Sequence, residues 1–308
     1  MTLRGLIERV PGGYYITGNL IQWHHGKRNA TIFSYKRNFS SDNKYTITLL
    51  RKDYSMYLDR MVEIRDFFDV SWISLLIFYI RNGTPNTNYF KTRLDSFFQI
   101  CGTDEINLKK AYDSSSFYYV NRLMLRYHNY GIGKKAEEII SLITPERSLQ
   151  EVHVLDYGCG VADPTLFLAL KGAAVTIVDL DNKKFEFAEE RFTQRNLDVN
   201  AWPATDTERP IMISPDIQYD FIIMAEFLEH VRKPRRFLEF ALSHLRKGGL
   251  FYDPLGPIHK HGVGGDHLME AKLEMETTDY ATYYKEHLVP VNLVVNKECF
   301  DHFYVKRD

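Results

Sequence analysis

Cysteine is scarce in this chain, with three among 308 residues: Cys101, Cys159 and Cys299. They are too few and too scattered to frame a disulfide-stapled fold, and no Cys-x-x-Cys pair offers a structural zinc site. That usage fits a reducing compartment, so a cytoplasmic protein is expected. Long apolar runs are also missing. The longest, Val70 to Ile80, is interrupted by Ser71 and Ser74 and is about half the length needed to span a bilayer. It reads as a buried helix, and no membrane association is expected. Met1 to Tyr15 lacks the apolar stretch of a signal peptide. Charge of one sign is lacking as well. Thirty-nine Lys and Arg against 40 Asp and Glu give a formal net charge of −1, which supplies no global field to attract nucleic acid or an anionic membrane. There is no repeat period and no low-complexity segment. What is present is an ordinary folded-protein composition, 44% hydrophobic and 26% charged, enough to bury a sizeable core.

The pattern changes near residue 150. Beyond it, short apolar runs alternate with helical periodicity. Strands are expected at Val152 to Tyr157, Ala174 to Leu180, Val199 to Trp202, Phe221 to Ala225 and Leu250 to Tyr252. Helices are expected at Pro164 to Lys171, Lys183 to Arg195 and Pro234 to Arg246, the last with Pro near its start and Gly248-Gly249 just past its end. Strands alternating with helices imply a parallel sheet covered on both faces. The end differs. Leu268 to Glu286 reads as helix, and Leu288 to Val295 and Cys299 to Lys306 as an antiparallel hairpin at the sheet edge. The fold class is therefore α/β, a Rossmann-like seven-stranded sheet with an antiparallel end. It occupies 146–308. Residues 1–145 read as a mainly helical accessory region: short strands within Gly12 to Tyr35 and Lys44 to Leu50, then helices over Asp53 to Arg81, Tyr89 to Ile100, Ser114 to Tyr130 and Ile132 to Ile143. That region is a candidate lid, substrate platform or homodimer surface.

The segment Val154-Leu155-Asp156-Tyr157-Gly158-Cys159-Gly160 sets two glycines directly after a strand. Glycines there let the backbone turn sharply and approach a ligand closely, and the following helix N-terminus aims amide donors at it. The next strand ends on Asp179, nineteen residues after Gly160. A carboxylate at that place accepts from both hydroxyls of a ribose; the alternative is a helix cap. A dinucleotide site would want a third glycine where Asp163 stands. An aspartate sits poorly beside a pyrophosphate and better beside a zwitterionic amino acid.

Asp-Tyr-Gly-Cys-Gly at 156–160, Val-Asp-Leu-Asp at 178–181, the run from Tyr219 to Val231 and Leu-Arg-Lys-Gly-Gly-Leu-Phe at 245–251 resemble, in order, the successive motifs of class I S-adenosylmethionine-dependent methyltransferases. The resemblance covers about residues 125 to 306 and is strongest to the broad subgroup that includes the ubiquinone-biosynthesis O-methyltransferases. It implies S-adenosylmethionine as cofactor. Asp156, Gly158 and Gly160 would surround its amino acid moiety, Asp179 its ribose and Leu180 its adenine. Asp206 would accept from the adenine amino group, although Trp202-Pro203 departs from the usual pattern just upstream. Glu226 is counted with the cofactor residues.

The reaction centre is expected at Glu226-Phe227-Leu228-Glu229-His230, because open α/β sheets place ligands at strand C-terminal ends. His230 is a candidate general base, or a structural histidine beneath the loop. Some members of the family it resembles hold a divalent cation with such a segment, which implies Glu226, Glu229, His230 and a later histidine as ligands. A second cluster, Pro257 to His267, brings His259, His261, His267 and Asp266 onto a glycine-rich loop, with the composition of a catalytic or metal loop and the alternative of an ordinary solvated one. His261 and His267 join His230 as catalytic candidates. The expected reaction is methyl transfer to an O, N or C nucleophile of a small molecule. The alternatives are a metal-assisted RNA 2′-O-methyltransferase, for which the basic run Arg232 to Arg236 is short, and a non-catalytic cofactor-binding protein.

Overall fold

The structure, a computed structural model, describes residues 33–35, 45–47, 60–82, 105–126, 130–143, 148–214, 216–255, 267–291, 294–295, 298–299 and 302–307. The chain separates into two compact units, 1–91 and 92–308. The boundary expected at 145/146 therefore differs from this division: residues 92–145 belong to the unit that holds the sheet.

In the first unit, β1 (Phe33–Tyr35) and β2 (Tyr45–Ile47) pair antiparallel. The long helix expected over Asp53 to Arg81 is two: α1 over 60–67 and α2 (Trp72–Asn82). The break falls at Asp69, whose φ is 48°. Val70 N donates to the Arg65 carbonyl at 3.0 Å, a bond that closes a helix through a left-handed residue. Ser71 Oγ then accepts from Ser74 N at 3.0 Å and starts the next helix, as serine does at an N-cap. Tyr89 to Ile100 lies outside the described residues.

The second unit opens with α3 (Glu105–Arg126) and α4 (Tyr130–Ile143). Its sheet is built from β3 (His153–Tyr157), β4 (Ala174–Leu180), β5 (Asn200–Ala204), β6 (Tyr219–Ile223), β7 (Leu245–Tyr252), β8 (Leu288–Pro290) and β11 (Phe303–Lys306). The spatial order is β5-β4-β3-β6-β7-β11-β8. The first five strands are parallel, and β11 runs antiparallel to both neighbours. The closing strands do make an antiparallel pair, but β11 inserts between β7 and β8, so β8 is the edge. The short β9 (Val294–Val295) and β10 (Glu298–Cys299) form a separate two-residue ladder.

Alternation along each strand feeds two cores. Val154, Ile177, Phe221 and Ile223 pack against residues of α4, α5 (Asp163–Leu170) and α6 (Lys183–Thr193). Leu155, Val178, Ile222 and Phe251 pack on the other face against α7 (Pro234–His244), α8 (Met269–Met275) and α9 (Thr278–His287). Both faces of a parallel sheet are thus covered, as its hydrophobic strands require. The expected helix at Leu268 to Glu286 is split at Thr277, whose hydroxyl accepts from Tyr280 N at 3.2 Å. Gly248-Gly249 do not close α7. That helix stops at His244, and the glycines lie within β7, where pairing to β6 shifts register and Gly248 has φ +70°. The α7 carbonyls are met instead by Lys306, whose Nζ donates to Leu242 O and Leu245 O at 2.6 Å each, a cation at the negative end of the helix. The order reverses between β3 and β6, and the crevice beyond their carboxyl ends is where such a sheet binds ligands.

Candidate functional site

That crevice is a cavity of about 370 Å³, lined by residues following β3, β4, β5, β6 and β7 and roofed by Tyr112, Tyr119, Arg122 and Leu123 of α3. Its floor is the glycine turn. Gly158 has φ +78°, Gly160 φ +60° and Ala162 φ +53°. Gly158 N and Cys159 N both donate to Val178 O, at 2.7 and 3.1 Å, which ties the turn to the neighbouring strand. A side chain at 158 would run into Phe227, and one at 160 would meet Leu123. These are close approaches that glycine permits.

Asp156 is fully buried. Its carboxyl is pushed up to about 7, first by burial, with a Thr165 hydroxyl contact opposing and the nearby Asp179 and Asp163 charges adding. Asp179 is buried beside it. Its two oxygens accept from Gly160 N at 2.8 Å and from Leu180 N at 2.7 Å. Lys184 Nζ approaches the same carboxylate at 3.0 Å. Helix α6 carries Lys184 there because Asn182 caps the helix, its side chain accepting from Lys184 N and Phe185 N. Leu180 and Asp206 line the same cavity. Asp206 Oδ1 also accepts from Glu208 N at 2.6 Å. Asp163, which spoke against a pyrophosphate, pairs with Arg191 at 2.8 Å, both side chains 1% exposed. Its charge is offset inside the protein by this pair.

After β6 the chain kinks at Glu226, a non-glycine residue at φ +50°, a conformation that tends to gather at functional sites. A short 3₁₀ turn, Leu228–His230, follows. Phe227 packs on Tyr157 and Phe237, with ring centroids 5.0 and 5.3 Å away. Leu268 N donates to the Glu229 carbonyl at 2.9 Å. This backbone bond holds His267 beside His230, their rings 5.0 Å apart and perpendicular. Possible ligand atoms of Glu229, His230 and His267 lie within 4.8 Å of one another. Two imidazoles and a carboxylate form a donor set suited to a divalent transition metal, so these residues fit such an ion. Glu226 lines the cavity but is not in this group; His267 stands where the expected ligand set had a later histidine. His230 Nδ1 faces Tyr112 Oη at 3.5 Å. His261 lies outside the described residues.

Tyr118, Tyr119, Tyr127 and Tyr130 lie just upstream of β3. Of these, Tyr119 lines the cavity, and Tyr127 lies outside the described residues. The sequence motifs do not point to Tyr112, Arg122, Lys184 or Thr165. A signal was there for two of them: Tyr112 and Tyr119 are seven apart, two turns of one helix face, followed by Arg122.

Residues 155–251 match a family model described as a methyltransferase domain. Two curated relatives are similar. A ubiquinone biosynthesis O-methyltransferase of Coxiella burnetii is 30% identical over 149 residues, 47% of this chain and 62% of that protein. Another from Rickettsia akari is 30% identical over 118 residues, 38% of this chain and 45% of that protein. The matches thus span less than two thirds of these relatives' own length. Among solved structures, magnesium protoporphyrin IX methyltransferase of Synechocystis is 14% identical with a TM-score of 0.45, covering 67% of this chain and 100% of that one. The match over 155–251 falls on the glycine turn, Asp179 and the Glu226–His230 segment, so this part of the chain is similar to a methyltransferase domain.

Proposed function

We propose that this protein transfers the methyl group of S-adenosylmethionine to a hydroxyl oxygen of a small, ring-bearing acceptor. The observation that carries the reading is that one cavity holds both the nucleoside-binding carboxylate Asp179 and the His230–His267 pair. The transferred methyl is activated by the cofactor itself, so the protein's task is chiefly positioning. Asp179 would take the ribose hydroxyls, Asp206 and Leu180 the adenine end, and Gly158, Gly160 and Asp156 the amino acid end. The Arg122 guanidinium on the cavity wall suits the cofactor carboxylate. His230 would receive the acceptor's proton, with His267 beside it; His261 belongs to the same proposed set.

A divalent cation held by Glu229, His230 and His267, with Glu226 as a further candidate, would polarise the acceptor hydroxyl and lower its pKa. Aromatic walls at Tyr112, Phe227 and Tyr252 favour a planar acceptor. The names of the similar relatives favour oxygen over nitrogen or carbon. A nucleic-acid acceptor is less favoured. In the basic run, Arg232 pairs with Glu270 at 2.9 Å and Arg235 with Glu239 at 2.7 Å, which offsets the charge a phosphate backbone would seek. Among the described residues no helix is long and apolar enough to cross a membrane. The cysteine usage supports a cytoplasmic setting; the proposed catalytic domain is 146–308, with 1–145 in a lid or substrate-binding role.

Calorimetric titration with S-adenosylmethionine and with NAD tests the reading. Binding of the first alone is expected, and binding of NAD alone would overturn it. Transfer of labelled methyl to catechol-type acceptors, with and without EDTA, then tests the oxygen and metal parts separately.

A further inference from the structure

Among the described residues, Lys184 is the one lysine on the cavity wall. Its side chain is 11% exposed and that of Asp179 6%. The ammonium lies 3.0 Å from Asp179 Oδ1 and 3.1 Å from Oδ2, straddling the carboxylate. Each of those oxygens already accepts a backbone N–H, Oδ2 from Gly160 and Oδ1 from Leu180. A carboxylate has about four lone-pair sites in all, so two are left, and Lys184 draws on both oxygens. A vicinal diol donating to Asp179 needs the same two. The ammonium and the diol therefore compete for one carboxylate.

Two aromatic rings flank the same ammonium. Its Nζ lies 5.4 Å from the centroid of the Tyr112 ring and 6.0 Å from that of Tyr119, within the range of cation–π attraction. An ammonium withdrawn from Asp179 stays among these rings instead of losing all compensation in a buried site.

We infer that Lys184 tunes the affinity of the nucleoside site. It acts as an internal counter-ion occupying the diol-binding face of Asp179, and a ligand with two ribose hydroxyls displaces it. This rests on the reading that Asp179 binds a ribose. The lysine sets affinity below what the carboxylate alone would give, and it weakens a diol, which must displace it from both oxygens, more than a ligand with one hydroxyl. A ligand with one hydroxyl leaves the ammonium on the other oxygen.

The test is calorimetric titration of S-adenosylhomocysteine and its 2′-deoxy analogue into wild type, Lys184→Met and Asp179→Asn. Methionine keeps the length and apolar stem of lysine, and a thermal melt checks that each variant is folded. Removing a charge-assisted competitor is expected to tighten S-adenosylhomocysteine binding on the order of tenfold, with a smaller gain for the 2′-deoxy ligand. Unchanged or weaker binding in Lys184→Met, or equal gains for both ligands, overturns the inference. Asp179→Asn separates the two claims. If it leaves binding unchanged, the ribose reading itself fails. If it weakens binding while Lys184→Met does not tighten it, only the role of Lys184 fails.

Discussion

Replacing Gly158 by alanine adds one methyl group at the tightest point of the cavity floor. The methyl carbon would stand 2.3 Å from Phe227 Cδ2 and 2.9 Å from its Cγ, well inside contact distance. Neither side can yield easily. The turn is tied to Val178 O by two backbone bonds, and the Phe227 ring is packed against Tyr157 and Phe237. Two costs follow. Holding alanine at the observed φ of +78° costs about 1–2 kcal/mol, and forcing the ring aside costs about 1–3 kcal/mol. The variant is expected to lose about 2–5 kcal/mol of unfolding free energy, read from urea midpoints. S-adenosylhomocysteine affinity should fall at least about tenfold, because Phe227 leads directly into Leu228–His230. A double-mutant cycle with Phe227→Ala separates the costs. With the ring removed, only the backbone share should persist, giving a coupling of about 1–3 kcal/mol. A loss under about 0.5 kcal/mol for Gly158→Ala, or the same loss in both backgrounds, would refute the steric account.

Asp163→Asn leaves the Arg191 cation in a site where both side chains are 1% exposed; it should cost about 3–5 kcal/mol in urea unfolding, and Asp163→Asn with Arg191→Met should recover much of it. Burial holds the Asp156 carboxyl at about 7, above its unfolded value near 3.9. A raised acid stabilises the fold fully below the unfolded value and loses that contribution as pH climbs through about 7. Stability should therefore fall by up to about 1.4 kcal/mol per pH unit across this window, while Asp156→Asn shows a flatter profile; matching profiles would contradict the burial argument. Titration of zinc or manganese should show binding that drops at least about tenfold in His267→Ala, and equal binding by both proteins would remove His267 from the ligand set. His230→Gln should lower the rate of methyl transfer about 10²-fold or more while leaving the affinity for S-adenosylhomocysteine nearly unchanged.

Local chemistry in the chain already determined much. The β3 and β4 strands, the glycine turn between β3 and α5 and the carboxylate closing β4 follow from period, turn residues and spacing within about thirty residues. So do the alternation of helices and strands and the antiparallel end. Local pattern could also misplace a boundary. Gly248-Gly249 look like a helix stop, yet they serve a register shift in β7, because strand pairing overrode the local preference. Ser71 and Thr277 each start a helix inside what reads as one continuous periodic segment.

The cavity's chemistry depended on contacts between distant residues. His267 reaches His230 through one backbone bond from Leu268 to Glu229. Arg191 reaches Asp163 across 28 positions and offsets its charge. Tyr112 and Lys184, 72 positions apart in the chain, meet because α3 packs over α6. No local period encodes such meetings. The residues placed by local backbone geometry were legible in the sequence; those placed by meeting a partner were decided by packing, since a long-range contact is a property of the folded sheet and its covering helices.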